Sequence, residues 1–350
     1  MNTIQIQSPY VIFLGDIEDK TLAKTGAGLA KWCQDDVLGQ LRLPGCKVDL
    51  GLADISLDEA VANGAKSLVI GVATVGGSIH ADWLPVFAKA LDKGLDIVNG
   101  LHTDLATIPM LMAAQEHSAG RIINVRHVGR TLPIATGRKR TGLRLLTVGT
   151  DCAVGKKYTA LELTRALNAK GIDATFRASG QTGIMIAGEG LPIDSIVSDF
   201  VSGASELLSP DNSAEHWDII EGQGSLFNPS FSAVSMGLLH GSQPDAFILC
   251  HDIARERIST CPDYPIPDLQ ACIQLHLDCA RIVNPQVRCV GVSVNTSSLD
   301  PDKRRDYLTR LQAELELPCV DPLIDGCEAF VTLIAKQFHQ SETGKAHAES

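Results

Sequence analysis

Gly149-Thr150-Asp151-Cys152-Ala153-Val154-Gly155-Lys156-Lys157 reads GxxxxGK. It follows the apolar run 143–148 and opens the helical pattern 158–169. A strand, a glycine-rich turn and a helix start, in that order, build a phosphate cradle. Backbone N–H groups converge on the anion, the helix N-terminus adds its positive dipole end, and the lysine adds a full charge. A Walker-type loop places Ser or Thr directly after the lysine to hold Mg²⁺. Lys157 stands there instead. Thr159, two residues further on, lies roughly 200° around a helix and is expected to point away from the loop. The expectation is therefore a phosphate-bearing ligand that needs no metal, rather than Mg·ATP hydrolysis.

Outward from this loop, strand-like and helical runs alternate along most of the chain, which predicts an α/β fold of parallel sheets with helices on both faces. In the first half, 10–14, 67–72 and 96–99 read as strands, and 21–32, 82–93 and 105–117 as helices. The segment 129–141, with Pro133, Gly137 and a run of basic residues, reads as a linker. The second half restarts with the P-loop, then strands at 174–177, 217–220, 246–250, 289–294 and 319–320. This predicts a Rossmann-like N-terminal domain over 1–135, a P-loop-type parallel-sheet domain over 142–340 that binds a phosphate-bearing ligand, and a flexible tail over 341–350.

The 350 residues are enough for two cores. A net charge of −11 argues against nucleic acid or an anionic membrane surface as partner. The ten cysteines show no CxxC and no zinc spacing, as expected for reduced thiols in a cytoplasmic protein. Residues 1–8 are mostly polar and no apolar run is long enough to cross a bilayer, so neither a signal peptide nor a membrane anchor is expected. A homo-oligomer is the default for an enzyme of this size.

Several residues can carry chemistry. Lys156 reads as a phosphate ligand. Lys157 is either a second phosphate contact or a solvated helix residue. Cys152 is either an acyl carrier or a small residue that lets the loop curl. Glu221 ends the run Trp217–Ile220 and opens Glu221-Gly222-Gln223-Gly224-Ser225, a turn with backbone room for a ligand. A strand neighbouring a P-loop often ends in a carboxylate. Without a metal, Glu221 is a candidate general base or ammonium anchor. Gln223 and Ser225 are candidate substrate contacts. Arg177, Gln181 and Thr182 follow the second strand of that half, where doubly wound sheets bind ligands. Arg177 either grips a carboxylate bidentately or pairs with Asp173 on the surface. Asp194 is either a cleft carboxylate or a helix N-cap. At sheet-end loops, His240 and His251 are candidate proton carriers, with a packed or capping histidine as the alternative, and Arg255 and Arg257 can meet carboxylates or phosphates, with solvation of a helix as the alternative. Arg138, Lys139, Arg140 and Arg144 read by default as a solvated linker, with a clamp for an outer phosphate as the alternative. The loop 71–78 matches a dinucleotide fingerprint only weakly and is either a cover for the second domain's substrate or a cofactor site; Lys24, His80 and His102, at or near loop positions of the first half, are candidate substrate contacts.

The stretches GTDCAVGKK, RASGQTG, PIDSIVSDFVSGA and EGQGSLFNPSFSAVSMGLLHGSQPDAFILCH, with LGDIEDKTLAKTGAGLAKW and GVATVGGSIHADW before them, resemble the D-glutamate N-acetyltransferases of the DgcN type. Those belong to a wider set of P-loop proteins whose P-loop domain is similar to dethiobiotin synthetase. The resemblance covers nearly the whole chain. It implies acetyl transfer from acetyl-CoA to the amine of D-glutamate, giving N-acetyl-D-glutamate in D-amino-acid catabolism. It further implies acetyl-CoA as cosubstrate with no metal, 149–157 on the coenzyme A phosphates, and Glu221 or Asp194 as base or ammonium anchor. An ATP-dependent ligase or kinase similar to dethiobiotin synthetase is the alternative, although Lys157 breaks its GK[ST] pattern. A non-catalytic nucleotide sensor is a third possibility.

Overall fold

The computed structural model describes residues 2–3, 6–129 and 131–339. The expected tail, 341–350, lies outside the described residues. The chain divides into two compact units, Met1–Thr131 with Gly180–Ser195, and Leu132–Ser179 with Ile196–Ser350.

The first unit carries a five-stranded parallel sheet of β1 (Tyr10–Gly15), β2 (Val37–Arg42), β3 (Ser67–Ile70), β4 (Asp96–Asn99) and β5 (Ile122–Asn124), in the order β2-β1-β3-β4-β5. β1 and β3 are buried along their whole length, which explains why they read as continuous apolar runs. Around the sheet lie α1 (Lys24–Trp32), α2 (Leu57–Ala62), α3 (Leu84–Asp92) and α4 (Pro109–Glu116). β2 escaped the sequence reading because Gly39 and the buried Gln40 interrupt its apolar run. Gln40 is satisfied locally, donating to Asp49 and accepting from the Leu50 amide.

The second unit carries six parallel strands, β6 (Leu143–Gly149), β7 (Ala174–Arg177), β8 (Trp217–Ile220), β9 (Ala246–Asp252), β10 (Arg288–Asn295) and β11 (Cys319–Val320), in the order β11-β10-β9-β6-β8-β7. β6 is central. On one side of it the chain runs first to the edge strand β7 and returns to place β8 between β7 and β6; on the other side it builds outward through β9, β10 and β11. The phosphate loop therefore leaves the sheet at its topological switch point, where ligands bind in open α/β sheets. α5 (Lys156–Ala169) follows the loop, and Leu163 and Leu167 pack it onto Leu145, Ile219 and Ile248. Burying one such side chain contributes about 1.5–3 kcal/mol.

Gly180–Ser195 is the point where chain order and spatial order part. It contains α6 (Gln181–Ala187), whose Ile184 and Met185 are buried, and Thr25 on α1 shares a 2.9 Å hydroxyl contact with Thr182. Gln181, Thr182 and Asp194, which the sequence associates with the P-loop half, thus group with the first unit. The second unit resumes before α7 (Ser198–Leu208), α8 (Ser232–Ser242), α9 (Leu269–Arg281), α10 (Pro301–Leu315) and α11 (Glu328–Ile334).

The basic run divides: Arg138 and Lys139 stay exposed, as the solvated-linker reading expects, whereas Arg140 and Arg144 are buried and bond backbone carbonyls. Arg144 is fully buried and donates to the carbonyls of Arg140, Thr141, Gly142 and Pro210. Arg140 is buried against the Gly241 and Ser242 carbonyls, and burial together with its neighbour Arg144 lowers its pKa to about 10. Arg138 pairs with Asp211 and Lys139 with Asp245. The carbonyls of the irregular stretch before β6 and of the last turn of α8 have no intrinsic ladder or helix partner, and the two arginines supply donors to them.

Candidate active site

β6 delivers the chain into the loop, and the loop's curl depends on two left-handed residues, Ala153 at φ +55° and Gly155 at φ +106°. At Gly155 the absence of a side chain matters, because the residue must reverse the chain directly before the first helical turn. Lys156 folds back over the loop and its Nζ donates to the Asp151 carbonyl at 2.8 Å. Its ammonium is buried, and desolvation lowers its pKa against the opposing pull of Cys152, Cys250, Asp151 and Glu221. A cation held in that state gains from an arriving anion, which is what a phosphate site requires.

Thr159 turns away from the loop as expected. Its hydroxyl donates to the Gly155 carbonyl and sits 2.7 Å from that of Ser293 on β10. Lys157 places its ammonium over the Tyr158 ring, 4.4 Å from the centroid. Cys152 lies 3.7 Å from the Asn228 amide.

Asp151 has no exposed surface and receives three hydrogen bonds of 2.8 Å, from Asn228 Nδ2, Arg255 Nη1 and the Ser259 amide. Burial alone pushes its carboxyl pKa up, but the bonds from Ser259 and Asn228 outweigh this and hold it below the ordinary value. Asp151 therefore organises the cradle through its carboxylate rather than offering that carboxylate to an anion. Asn228 also accepts from Thr260 Oγ1 and from the Ser230 amide. Thr150 is buried, and its hydroxyl lies 3.2 Å from Nδ1 of His251, whose pKa burial lowers.

Glu221 emerges at the end of β8, beside the loop. It is buried, and its Oε2 accepts the Ser179 amide at 3.0 Å. Ser179 Oγ donates to the Glu221 carbonyl and accepts from Gln223 Nε2. The next residue cannot carry a side chain, since a Cβ on Gly222 would stand 1.7 Å from the Thr147 carbonyl and 3.0 Å from the Lys156 side chain. This close approach brings the ends of β6 and β8 together under the lysine. Ser225 is buried and its hydroxyl accepts the Phe227 amide.

Arg177 does not meet Asp173. Its Nε donates to Asp218 at 2.6 Å inside the sheet, and Asp173 bonds His216. Asp218 also accepts from Ser209. This network gives Arg177 a scaffolding contact within the site's floor. His240 is tied to the Cys279 carbonyl, and Arg257 to carbonyls of its own hairpin, formed by Arg257–Ile258 and Cys261–Pro265.

The first unit has a polar cluster of its own. Arg126 donates to the Gly100 carbonyl and to Gln181, and its Nη1 forms an ion pair with Asp194 at 2.5 Å. Asp194 lies in a short turn, Ile193–Ser195, and is not the N-cap of α7, a position Val197 occupies without a side-chain bond. His102 packs on Gly77, and its pKa is lowered by burial and by Arg126. His80 stacks on Trp83. Arg126 escaped the sequence reading because nothing local distinguishes an arginine after a short edge strand. Its importance comes from contacts 55 and 68 residues away.

The second unit is a P-loop domain, and the first is a five-stranded doubly wound sheet with the Rossmann-like arrangement of parallel strands. Residues 133–331 match a family model described as a domain of unknown function (DUF1611_C), a P-loop domain, and residues 42–128 match the corresponding Rossmann-like domain (DUF1611_N). The chain belongs to this DUF1611 family. A curated relative from Tritonibacter scottomollicae, named D-glutamate N-acetyltransferase, is 46% identical over 330 residues, covering 94% of this chain and 99% of the relative. A relative of the same name from a Pseudoalteromonas species is 44% identical over 328 residues, covering 94% and 99%. The crystal structure of a DUF1611 family protein from Anabaena variabilis superposes with a TM-score of 0.86 at 32% identity, covering 94% of this chain and all of that one. No helix among the described residues is long and apolar enough to cross a membrane.

Proposed function

We propose that this chain is a D-glutamate N-acetyltransferase that takes its acetyl group from acetyl-CoA. The observation that carries the reading is the near-complete alignment, at 46% identity, with a relative of that name. The P-loop fits the donor: coenzyme A carries a diphosphate and a 3′-phosphate, which a loop without the metal-binding hydroxyl can grip directly. Residues 149–157 hold those phosphates, with Lys156 supplying the charge.

Of the two candidate acids, Glu221 suits the base better. It shares a unit with the P-loop and the Ser179 amide orients it, whereas Asp194 is ion-paired to Arg126. In the reaction, Glu221 takes a proton from the substrate ammonium. The freed amine attacks the thioester carbonyl carbon, a C–N bond forms, and the C–S bond breaks as the thiolate leaves and recovers a proton. Backbone N–H groups of the glycine-rich turns stabilise the oxyanion.

The test is a product assay with acetyl-CoA and each enantiomer of glutamate. N-Acetyl-D-glutamate from the D-enantiomer supports the reading; acetyl-CoA left intact in its presence refutes it.

A further inference from the structure

The loop lacks the hydroxyl that recruits a divalent ion, yet a phosphate pair needs more than one positive charge. Arg255 stands where a second cation is needed. It follows β9 and precedes the hairpin, and only one of its nitrogens is committed: Nη1 donates to Asp151 Oδ2 at 2.8 Å and to the Cys152 carbonyl at 3.4 Å. Both acceptors belong to the phosphate loop. Nε and Nη2 have no hydrogen-bond partner among the described residues, and the side chain keeps 23% of its surface exposed. Other arginines of the second unit are held away from the loop, Arg140 and Arg144 at the opposite end of β6. Arg144 and Arg140 cap carbonyls, Arg177 pairs with Asp218, and Arg257 bonds its own hairpin.

Asp151 explains how Arg255 stays in place. A fully buried carboxylate fixes the guanidinium, the Ser259 amide at the hairpin turn, and Asn228 together. The arginine is thereby bound to the loop's backbone while two donors of its fork remain open, the geometry suited to phosphate oxygens.

We propose that Arg255, positioned by Asp151, is the second phosphate-binding cation of this loop and supplies the charge that a divalent ion supplies elsewhere. Its ligand class is the diphosphate or phosphomonoester of a nucleotide-type carrier. The identification of that carrier as acetyl-CoA rests on the function proposed above.

Two probes separate the readings. By calorimetry in EDTA, inorganic pyrophosphate binds the wild-type protein, and Arg255→Gln weakens it about tenfold or more, the loss expected for a charge-assisted bond. Arg255→Lys, which keeps a point charge without the fork, loses less and guards against a folding defect, with the melting temperature measured for both. In steady-state assays, Arg255→Gln raises KM for acetyl-CoA by a similar factor and leaves KM for D-glutamate within about twofold. A loss shared by 3′-dephospho-acetyl-CoA assigns the diphosphate; a loss confined to acetyl-CoA assigns the 3′-phosphate. If the wild-type protein fails to acetylate yet the variant still weakens pyrophosphate, the assignment of Arg255 stands and the acetyltransferase reading falls. A folded Arg255→Gln protein that matches wild type toward pyrophosphate, or a wild-type protein that does not bind pyrophosphate, overturns it.

Discussion

Glu221 and Gly222 show how much chemistry two adjacent residues can set. The first places a buried carboxylate under the Ser179 amide, and the second lets the strand end approach Thr147. We predict that Glu221→Gln lowers kcat by about 100-fold or more, the usual scale for losing a general base. Its affinity for acetyl-CoA should persist, because the amide oxygen still accepts from Ser179. Single-turnover kinetics beside a binding titration checks this, and an unaltered kcat removes Glu221 from the mechanism. Gly222→Ala should act differently. A methyl group 1.7 Å from a carbonyl forces β6 and β8 apart, costing about 1–3 kcal/mol and disturbing Lys156 as well. Denaturant melts should show the loss, with donor binding weakened in parallel. The position of Glu221 was legible in sequence because strand ends in parallel sheets are predictable. The task of Asp151 was not. It read as one more loop residue, while its three partners lie 77 to 108 residues downstream.

At the scale of elements, the strand–loop–helix unit of β6 and α5 follows directly from local pattern. The stretch before it does not, since Arg140 and Arg144 read as solvated charge while the structure buries them against backbone carbonyls. Arg144→Leu should therefore destabilise the second unit by about 3 kcal/mol, because removing a buried charged donor strands its acceptors. Urea unfolding is the measurement. α9 offers a pH test. His276, buried on that helix, donates Nδ1–H to the Cys272 carbonyl, and burial lowers its pKa to about 4 from 6.5. The folded value lies below the unfolded one, so unfolding takes up a proton between those limits. This contribution to stability is complete above pH 6.5 and is lost as pH falls toward 4. His276→Gln should flatten the slope of unfolding free energy in that window by about 1.4 kcal/mol per pH unit relative to wild type. Parallel slopes would contradict it.

For the whole molecule, the alternation of strands and helices conveyed both parallel sheets, and the family match agrees with that reading. Periodicity carries no information about which sheet a helix packs with, and so the allegiance of Gly180–Ser195 was hidden. Its apolar side chains are covered by the first unit, Met185 and Gln181 lying against Gly100. A fragment spanning 132–350 should accordingly leave α6 uncovered. We predict that the amides of 181–187 exchange slowly in the full chain and fast in the fragment, by hydrogen-exchange mass spectrometry. Equal protection would place the segment's stability within the second unit.

The central claim is that the loop at 149–157 grips the phosphates of a thioester carrier without a divalent ion. Thermal or chemical unfolding with and without ligand tests it most directly. With EDTA present, acetyl-CoA at a hundred times its Kd should stabilise the protein by about 2.7 kcal/mol, and Lys156→Ala should abolish the effect. Stabilisation by ATP that requires Mg²⁺, with none from acetyl-CoA, would contradict the account.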